Sequence, residues 1–145
     1  MNPHRLVALS LLALLPALQA RADPPAQPGA PSALVGVWTV DLRPTPQSAP
    51  YLRKLVITAV HGTQIEGNFY DGSPLQAGRM NVTAGPLPVF AFFTDPGEGV
   101  YQSSGRQVGP DRLEGMTLST TRGFVLPWVA VRDTAPQPPT LPAGQ

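Results

Sequence analysis

Leu34-Val35-Gly36-Val37-Trp38-Thr39-Val40-Asp41-Leu42 opens the foldable part of this chain, and Trp128-Val129-Ala130-Val131-Arg132 closes it. Both stretches are rich in β-branched and aromatic residues and alternate in the way a strand needs. In the first, Gly36, Trp38, Val40 and Leu42 share one face, and Val35, Val37, Thr39 and Asp41 share the other. In the last, Phe124, Leu126, Trp128, Ala130 and Arg132 lie on one side. Whatever lies between must connect two strands through short strands and turns, because glycine or proline interrupts almost every window long enough for an amphipathic helix.

Eight strands are predicted: Val35–Leu42, Leu52–Val60, Gln64–Tyr70, Gln76–Val82, Pro88–Thr94, Gly99–Arg106, Arg112–Ser119 and Phe124–Arg132. Turn chemistry separates them. His61-Gly62-Thr63 and Asp71-Gly72-Ser73-Pro74 read as tight hairpins. Thr83-Ala84-Gly85-Pro86, Asp95-Pro96-Gly97-Glu98, Gly109-Pro110-Asp111 and Thr120-Thr121-Arg122-Gly123 supply the other breaks. Only the proline-rich stretch Arg43 to Tyr51 is a longer connection. Short strands at a spacing of about ten residues argue for an all-β sandwich or barrel. Uniformly short connections favour an up-and-down order over a Greek key. The expected fold is therefore all-β: an eight-stranded antiparallel up-and-down (meander) β-barrel. Two runs break the alternation, Val89-Phe90-Ala91-Phe92-Phe93 and Val125 to Val131. Strands apolar on both faces are usually covered on both sides, so an oligomer formed through the outer wall is one expectation. Scattered exposed apolar side chains are the other.

The flanks read differently. Residues 1–22 have the form of a secretory signal. His4 and Arg5 form a basic start, Leu6 to Leu15 an apolar run, and Ala20-Arg21-Ala22 a cleavage site. The apolar run is shorter than the roughly 20 residues that span a bilayer. No cysteine follows it for a lipid anchor, so the expected protein is periplasmic or secreted with no stable membrane anchor. Cleavage after Ala22 leaves 123 residues with 8 Lys+Arg against 9 Asp+Glu, a balance that does not favour nucleic acid. Residues 23–32 carry four prolines and read as an extended linker; residues 133–145 carry four more and read as a disordered tail. The barrel is placed at 33–132. With no cysteine in the chain, stability must come from packing alone, and neither a disulfide nor a thiolate-held zinc is available.

Gly36-Val37-Trp38 on the opening strand, taken with Arg132 on the closing one, resembles the calycin signature shared by lipocalins, fatty-acid-binding proteins and avidins. The resemblance implies a structural pair at the barrel floor, with Trp38 covering it and Arg132 packed across the indole by cation–π attraction. Within calycins the chain is most similar to avidin-type barrels. The opening strand, Gly67-Asn68-Phe69, Ser104-Gly105 and Trp128-Val129-Ala130 resemble avidin segments over about 100 residues. The likeness departs from avidins at the biotin site. Val40 stands where an asparagine meets the ureido group, and Phe69 stands where a tyrosine donates to the same oxygen. A pocket short of donors cannot satisfy a urea, so biotin is not the expected ligand.

Catalytic patterns are scarce. His61, the single histidine after the signal, falls in a hairpin turn with no triad or ligand cluster around it. Glu66 with Asp71, and Asp95 with Glu98, are carboxylates of turns and strand ends. No phosphate loop, dinucleotide fingerprint or nucleophile elbow occurs, and no cofactor is implied. The reading is of a non-enzymatic protein. Its first form is a barrel that holds a small, largely apolar ligand in its mouth, against Val40, Phe69, Phe93 and Trp128. Arg43 or Arg53 would meet an anionic group there, Tyr51, Tyr70 and Tyr101 would edge or cap the opening, and Ser103, Ser104 and Thr117 would supply polar contacts. The second form is a protein-binding module, such as an exported protease or hydrolase inhibitor. Known bacterial metalloprotease inhibitors of this shape plug the enzyme with an N-terminal segment, although they carry a disulfide that this chain lacks. A structural envelope protein is the third.

Overall fold

The computed structural model describes residues 30–134. The signal-like segment, most of the proline-rich linker and residues 135–145 lie outside the described residues. After a 3-10 turn, η1 (Pro31–Leu34), come β1 (Gly36–Asp41), β2 (Leu52–His61), β3 (Gln64–Phe69), β4 (Ser73–Pro74), β5 (Gln76–Asn81), β6 (Val89–Thr94), β7 (Tyr101–Gly109), β8 (Arg112–Ser119) and β9 (Phe124–Arg132).

Apart from β4 and β5, which both pair with β3, every neighbour in the chain is an antiparallel neighbour in the sheet, and β1 pairs with both β2 and β9, which closes the barrel. β4 and β5 are one stave of an eight-stranded meander, broken by a bulge. β4 pairs with the top of β3 through Phe69↔Ser73, and β5 pairs with its bottom through Gln64↔Arg79. Ala77 takes up the extra residue in a left-handed conformation (φ 49°) between the pairs Gln76↔Phe93 and Arg79↔Ala91. The break is absent from the sequence expectations, although Gly78 inside a strand is one mark of it: a Cβ there would lie 2.5 Å from Ile65 O. β7 begins two residues later than expected and runs on to Gly109, since Gly97 (φ 94°) and Gly99 (φ 103°) hold the preceding turn open.

The core is the barrel interior. Trp38, Val40, Leu55, Ile57, Ile65, Phe69, Phe92 and Leu113 are each at most 2% exposed, and they come from staves all around the wall. The two ends differ. At the floor, η1 turns inward and buries Ala33 and Leu34. The extended linker expected up to Ser32 thus ends two residues early. Pro31 has its φ preset for a helical start, and the apolar Ala33-Leu34 has a core to enter. At the other end the loops 42–51, 70–72, 95–100 and 120–123 surround the mouth. Asp133, placed in the tail by its sequence, continues the sheet. Its N–H donates to Val37 O at 2.8 Å, and its carboxylate accepts from Lys54 and Thr39.

Candidate functional site

Three regions hold the residues that the sequence singles out: the floor, the mouth, and the outer wall of β5–β9.

At the floor, the Arg132 guanidinium lies 4.0 Å from the centre of the Trp38 ring. It donates from Nη1 to Val35 O at 2.8 Å, from Nη2 to Ala33 O, and from Nε to Asp111 Oδ1 at 3.1 Å. The Trp38 indole N–H donates to Leu34 O at 2.9 Å. One arginine therefore ties η1 to β1, β9 and the β7–β8 turn, filling the carbonyls that the 3-10 turn leaves free. Gly36 makes this possible. Its φ is +143°, and a Cβ there would fall 2.5 Å from Arg132 Nη1. The spacing glycine-x-tryptophan is thus a steric clearance for the arginine that stacks on the tryptophan.

The interior is occupied. Val40 is 0%, Phe69 1% and Trp128 3% exposed. Trp128 fits across two glycines, Gly115 on the adjacent stave β8 and Gly105 on the next stave, β7. A Cβ at Gly105 would sit 2.8 Å from both its indole and the Phe90 ring, and a Cβ at Gly115 would collide with the indole outright. Its N–H donates to Thr117 Oγ1 at 3.1 Å, and Thr117 shares a hydrogen bond with Ser103 at 2.9 Å. These bonds link side chains of β7, β8 and β9 into one buried polar chain. Ser104, expected inside with them, points outward, as does every second residue of β7.

The mouth is capped by aromatics. Tyr70 stacks on Tyr101 at 5.4 Å, and Phe69 meets Tyr70 and Phe92 edge to face. Burial pushes the Tyr70 hydroxyl up to about 12, helped by the neighbouring Tyr51 and Tyr101 phenols. Arg53 reaches the rim from β2 and stacks on Tyr51 (4.1 Å), with Asp71 3.5 Å from its Nε. Arg122 donates to Tyr101 Oη at 3.2 Å and to Glu98 at 3.4 Å. Beneath this cap Thr94 is fully buried, and its hydroxyl has no hydrogen-bond partner.

Two residues assigned to the mouth stand elsewhere. Phe93 faces outward and is 38% exposed, while Phe90 and Phe92 fill the interior. An apolar run of five residues does not reveal its own phase. The pairing Phe92↔Ser103 with the inward Ser103 sets it. Arg43 does not bend over the opening. It forks onto Asp41, with Nε to Oδ2 at 2.7 Å and Nη2 on the same oxygen, at the edge of the outer wall. This guanidinium, and backbone N–H groups of Arg43 and Tyr51, hold the Asp41 carboxyl below its ordinary range.

On the outer wall, β6, β8 and β9 carry exposed apolar side chains, while β5 contributes Arg79 and Asn81 and β7 contributes Gln102, Ser104 and Arg106. The cross-strand register aligns Phe93, Gln102, Leu118 and Val125 in one row and Ala91, Ser104, Met116 and Pro127 in the next. Val89, Arg106, Glu114 and Val129 make a third. Met116 is 53% exposed and Val125 57%. The small Ala91 and Ser104 leave a shallow depression of about 620 Å³, floored by Gly105 and Gly115 and continuous with a second of about 500 Å³ towards Phe93 and Val125. On the opposite side of the barrel, β2 and β3 turn Lys54, Thr58, Gln64 and Glu66 outward, beside the exposed Leu52 and Val37. Among the described residues, no helix is long and apolar enough to cross a membrane. No three His, Asp or Glu side chains converge there on a metal-sized site. No family model matches the chain, and no curated protein or solved structure matches it either.

Proposed function

We propose that the protein is a non-catalytic, exported binding barrel of calycin-like design whose working surface is the outer wall of β5–β9 and whose partner is a protein. The single observation that carries this reading is the contrast between the two faces of the sheet. The inner positions Val40, Phe69 and Trp128 are packed and internally satisfied. The outer positions Phe93, Met116, Val125 and Val131 are 38–57% exposed on one continuous wall. Exposed apolar side chains gathered on one wall mark interaction surfaces. Export rests on the signal-like residues 1–22, and the calycin relationship on Gly36-x-Trp38 with Arg132. The absence of a catalytic role is supported by the exposed His61 and by carboxylates already engaged in ion pairs, Asp71 with Arg53 and Glu98 with Arg122.

The test is site-directed photocrosslinking in the native host, with the reactive side chain placed at Met116 and, as a control, at Thr58 on the polar wall. Discrete protein adducts at Met116 and none at Thr58 are expected. Adducts at neither position would refute the outer-wall reading.

One observation favours a ligand in the mouth as a second reading: the buried, unpartnered hydroxyl of Thr94 beneath the Tyr70–Tyr101 stack. A small apolar molecule with one acceptor would enter as the two rings part. An apolar fluorescent probe should then bind more tightly to Tyr70→Ala than to the wild type, and lose that gain in Tyr70→Ala/Thr94→Val. Equal binding to all three would exclude this site.

A further inference from the structure

We propose that the protein partner of the outer wall docks through an extended acidic segment, which sets an apolar side chain in the hollow of Ala91 and Ser104 and two carboxylates on Arg79 and Arg106; this rests on the outer-wall reading above. Charge distribution is the first argument. Arg43, Arg53 and Lys54 each have a carboxylate of their own in Asp41, Asp71 and Asp133. Arg122 has Glu98, and Arg132 has Asp111. Among the described residues the cations left are Arg79, Arg106 and Arg112, and all three are exposed on one wall. Arg106 and Arg112 share Glu114, at 3.7 and 3.3 Å. Arg79 makes no ion pair among the described residues, and its Nη1 donates to Gly78 O at 2.8 Å. Glu66 on β3 accepts from Gln64 Nε2 at 3.4 Å instead. The wall is left net positive, and an anionic partner completes it.

Spacing is the second. Arg79 stands beside Ala91 on β6, Ala91 beside Ser104 on β7, and Arg106 beside Val89, two residues along. Arg79 and Arg106 therefore lie diagonally across β6, with Cα atoms about 12 Å apart for strands at ~4.8 Å spacing and ~3.3 Å rise. Both line the hollow of about 620 Å³, together with Met116 and the floor of Gly105 and Gly115. An extended chain puts side chains i, i+2 and i+4 on one face, with the outer two about 13 Å apart. Acidic residues at i and i+4 reach the two guanidiniums while the residue at i+2 enters the hollow. Exposed ion pairs add little affinity each, so the hollow supplies the burial and the arginines set specificity and approach.

Depth is the third. Sites for small molecules enclose most of the ligand. This hollow is shallow and opens on the outer face of a sheet. It covers one side chain of a larger partner and does not enclose a free anionic amphiphile.

Photocrosslinking from Met116 in the native host, with mass spectrometry of the linked peptide, tests this. The adduct should be a protein other than this chain, linked through a segment with an apolar residue between two acidic ones. Arg79→Glu/Arg106→Glu should cut the Met116 adduct at least tenfold with the melting temperature unchanged. Arg79→Gln/Arg106→Gln, which removes charge without reversing it, should weaken it in the same direction. Lys54→Glu, on the opposite wall, should leave it intact. Replacing the two acidic residues of the linked segment by lysine should abolish the adduct with the wild type and restore it with Arg79→Glu/Arg106→Glu. A linked segment without acidic residues, or an adduct indifferent to Arg79→Glu/Arg106→Glu, overturns the proposal and leaves the outer-wall reading standing, because a protein is still held at Met116. A lipid, a nucleic acid or a second copy of this chain as the adduct also overturns it. No adduct at Met116 overturns both.

Discussion

Removing the Arg132 side chain should open the barrel floor at a cost that can be worked from its contacts. Arg132→Ala deletes a cation–π contact with Trp38 of about 0.5–2 kcal/mol. It also deletes charge-assisted donation to Val35 O and Ala33 O, each worth up to about 1.5–3 kcal/mol. The guanidinium is 22% exposed, so solvent competes for these bonds and the upper ends do not apply. A loss of about 3 kcal/mol is expected, which for a domain near 100 residues lowers the melting temperature by about 12–24 °C. Urea unfolding followed by tryptophan fluorescence measures it, with the m-value unchanged. Arg132→Lys keeps the charge but loses the planar fork, and should recover no more than half the loss. Gly36→Ala reaches the same contact from the other side. Its Cβ would displace Nη1 and strain a backbone at φ +143°. In the Arg132→Ala background the displacement is already made, so Gly36→Ala should cost less there than in the wild type. A loss below about 1 kcal/mol for Arg132→Ala, or strict additivity of the two substitutions, would refute the view that Gly36, Trp38 and Arg132 act as one unit.

Other expectations follow from the same geometry. Thr94→Val removes a buried hydroxyl with no partner while keeping its shape, and should leave stability unchanged or raise it by up to about 1 kcal/mol in chemical denaturation; a loss above that would mean the hydroxyl is satisfied. Gly115→Ala should be among the most disruptive single-methyl changes, costing about 2 kcal/mol or more, because the added carbon meets the Trp128 indole and a strand backbone; calorimetry checks it. Tyr70 titrates near 10 when unfolded and near 12 in the fold, so the folded state holds its proton longer. Stability from this group is complete below pH 10 and is lost as pH rises towards 12. Comparing urea midpoints of the wild type and Tyr70→Phe across that window should show a steeper fall for the wild type, and parallel curves would contradict the assignment. Asp133 is held below the usual carboxylate range by Lys54 and Thr39, so it withdraws stability only as acid protonates it; Asp133→Asn should flatten the acid limb of the same curve.

Period-two alternation is a local property, and it carried most of the fold. Each expected strand overlaps an observed one. The inward faces of β1 and β9, with Trp38, Val40, Trp128 and Arg132, follow directly from which residues are two apart. Turn residues did the same for the connections, since glycine and proline act on their own φ and need no distant partner. The order of staves was legible because short loops leave an antiparallel neighbour as the only place to go. The rest depended on contacts across the barrel. Phe92 and Phe93 are equally apolar, and only pairing with β7 decides which one enters the core. Arg43 could reach the mouth or Asp41, and a carboxylate two residues away at bonding distance wins over an aromatic rim. Gly105 and Gly115 read as ordinary small residues until Trp128 lies across them from a strand apart. Sequence alone therefore determined the strands, the turns and the closed all-β architecture. Tertiary structure decided that the interior is full and that the free apolar surface is outside, because filling a cavity is a property of side chains brought together from every stave, and no single segment encodes it.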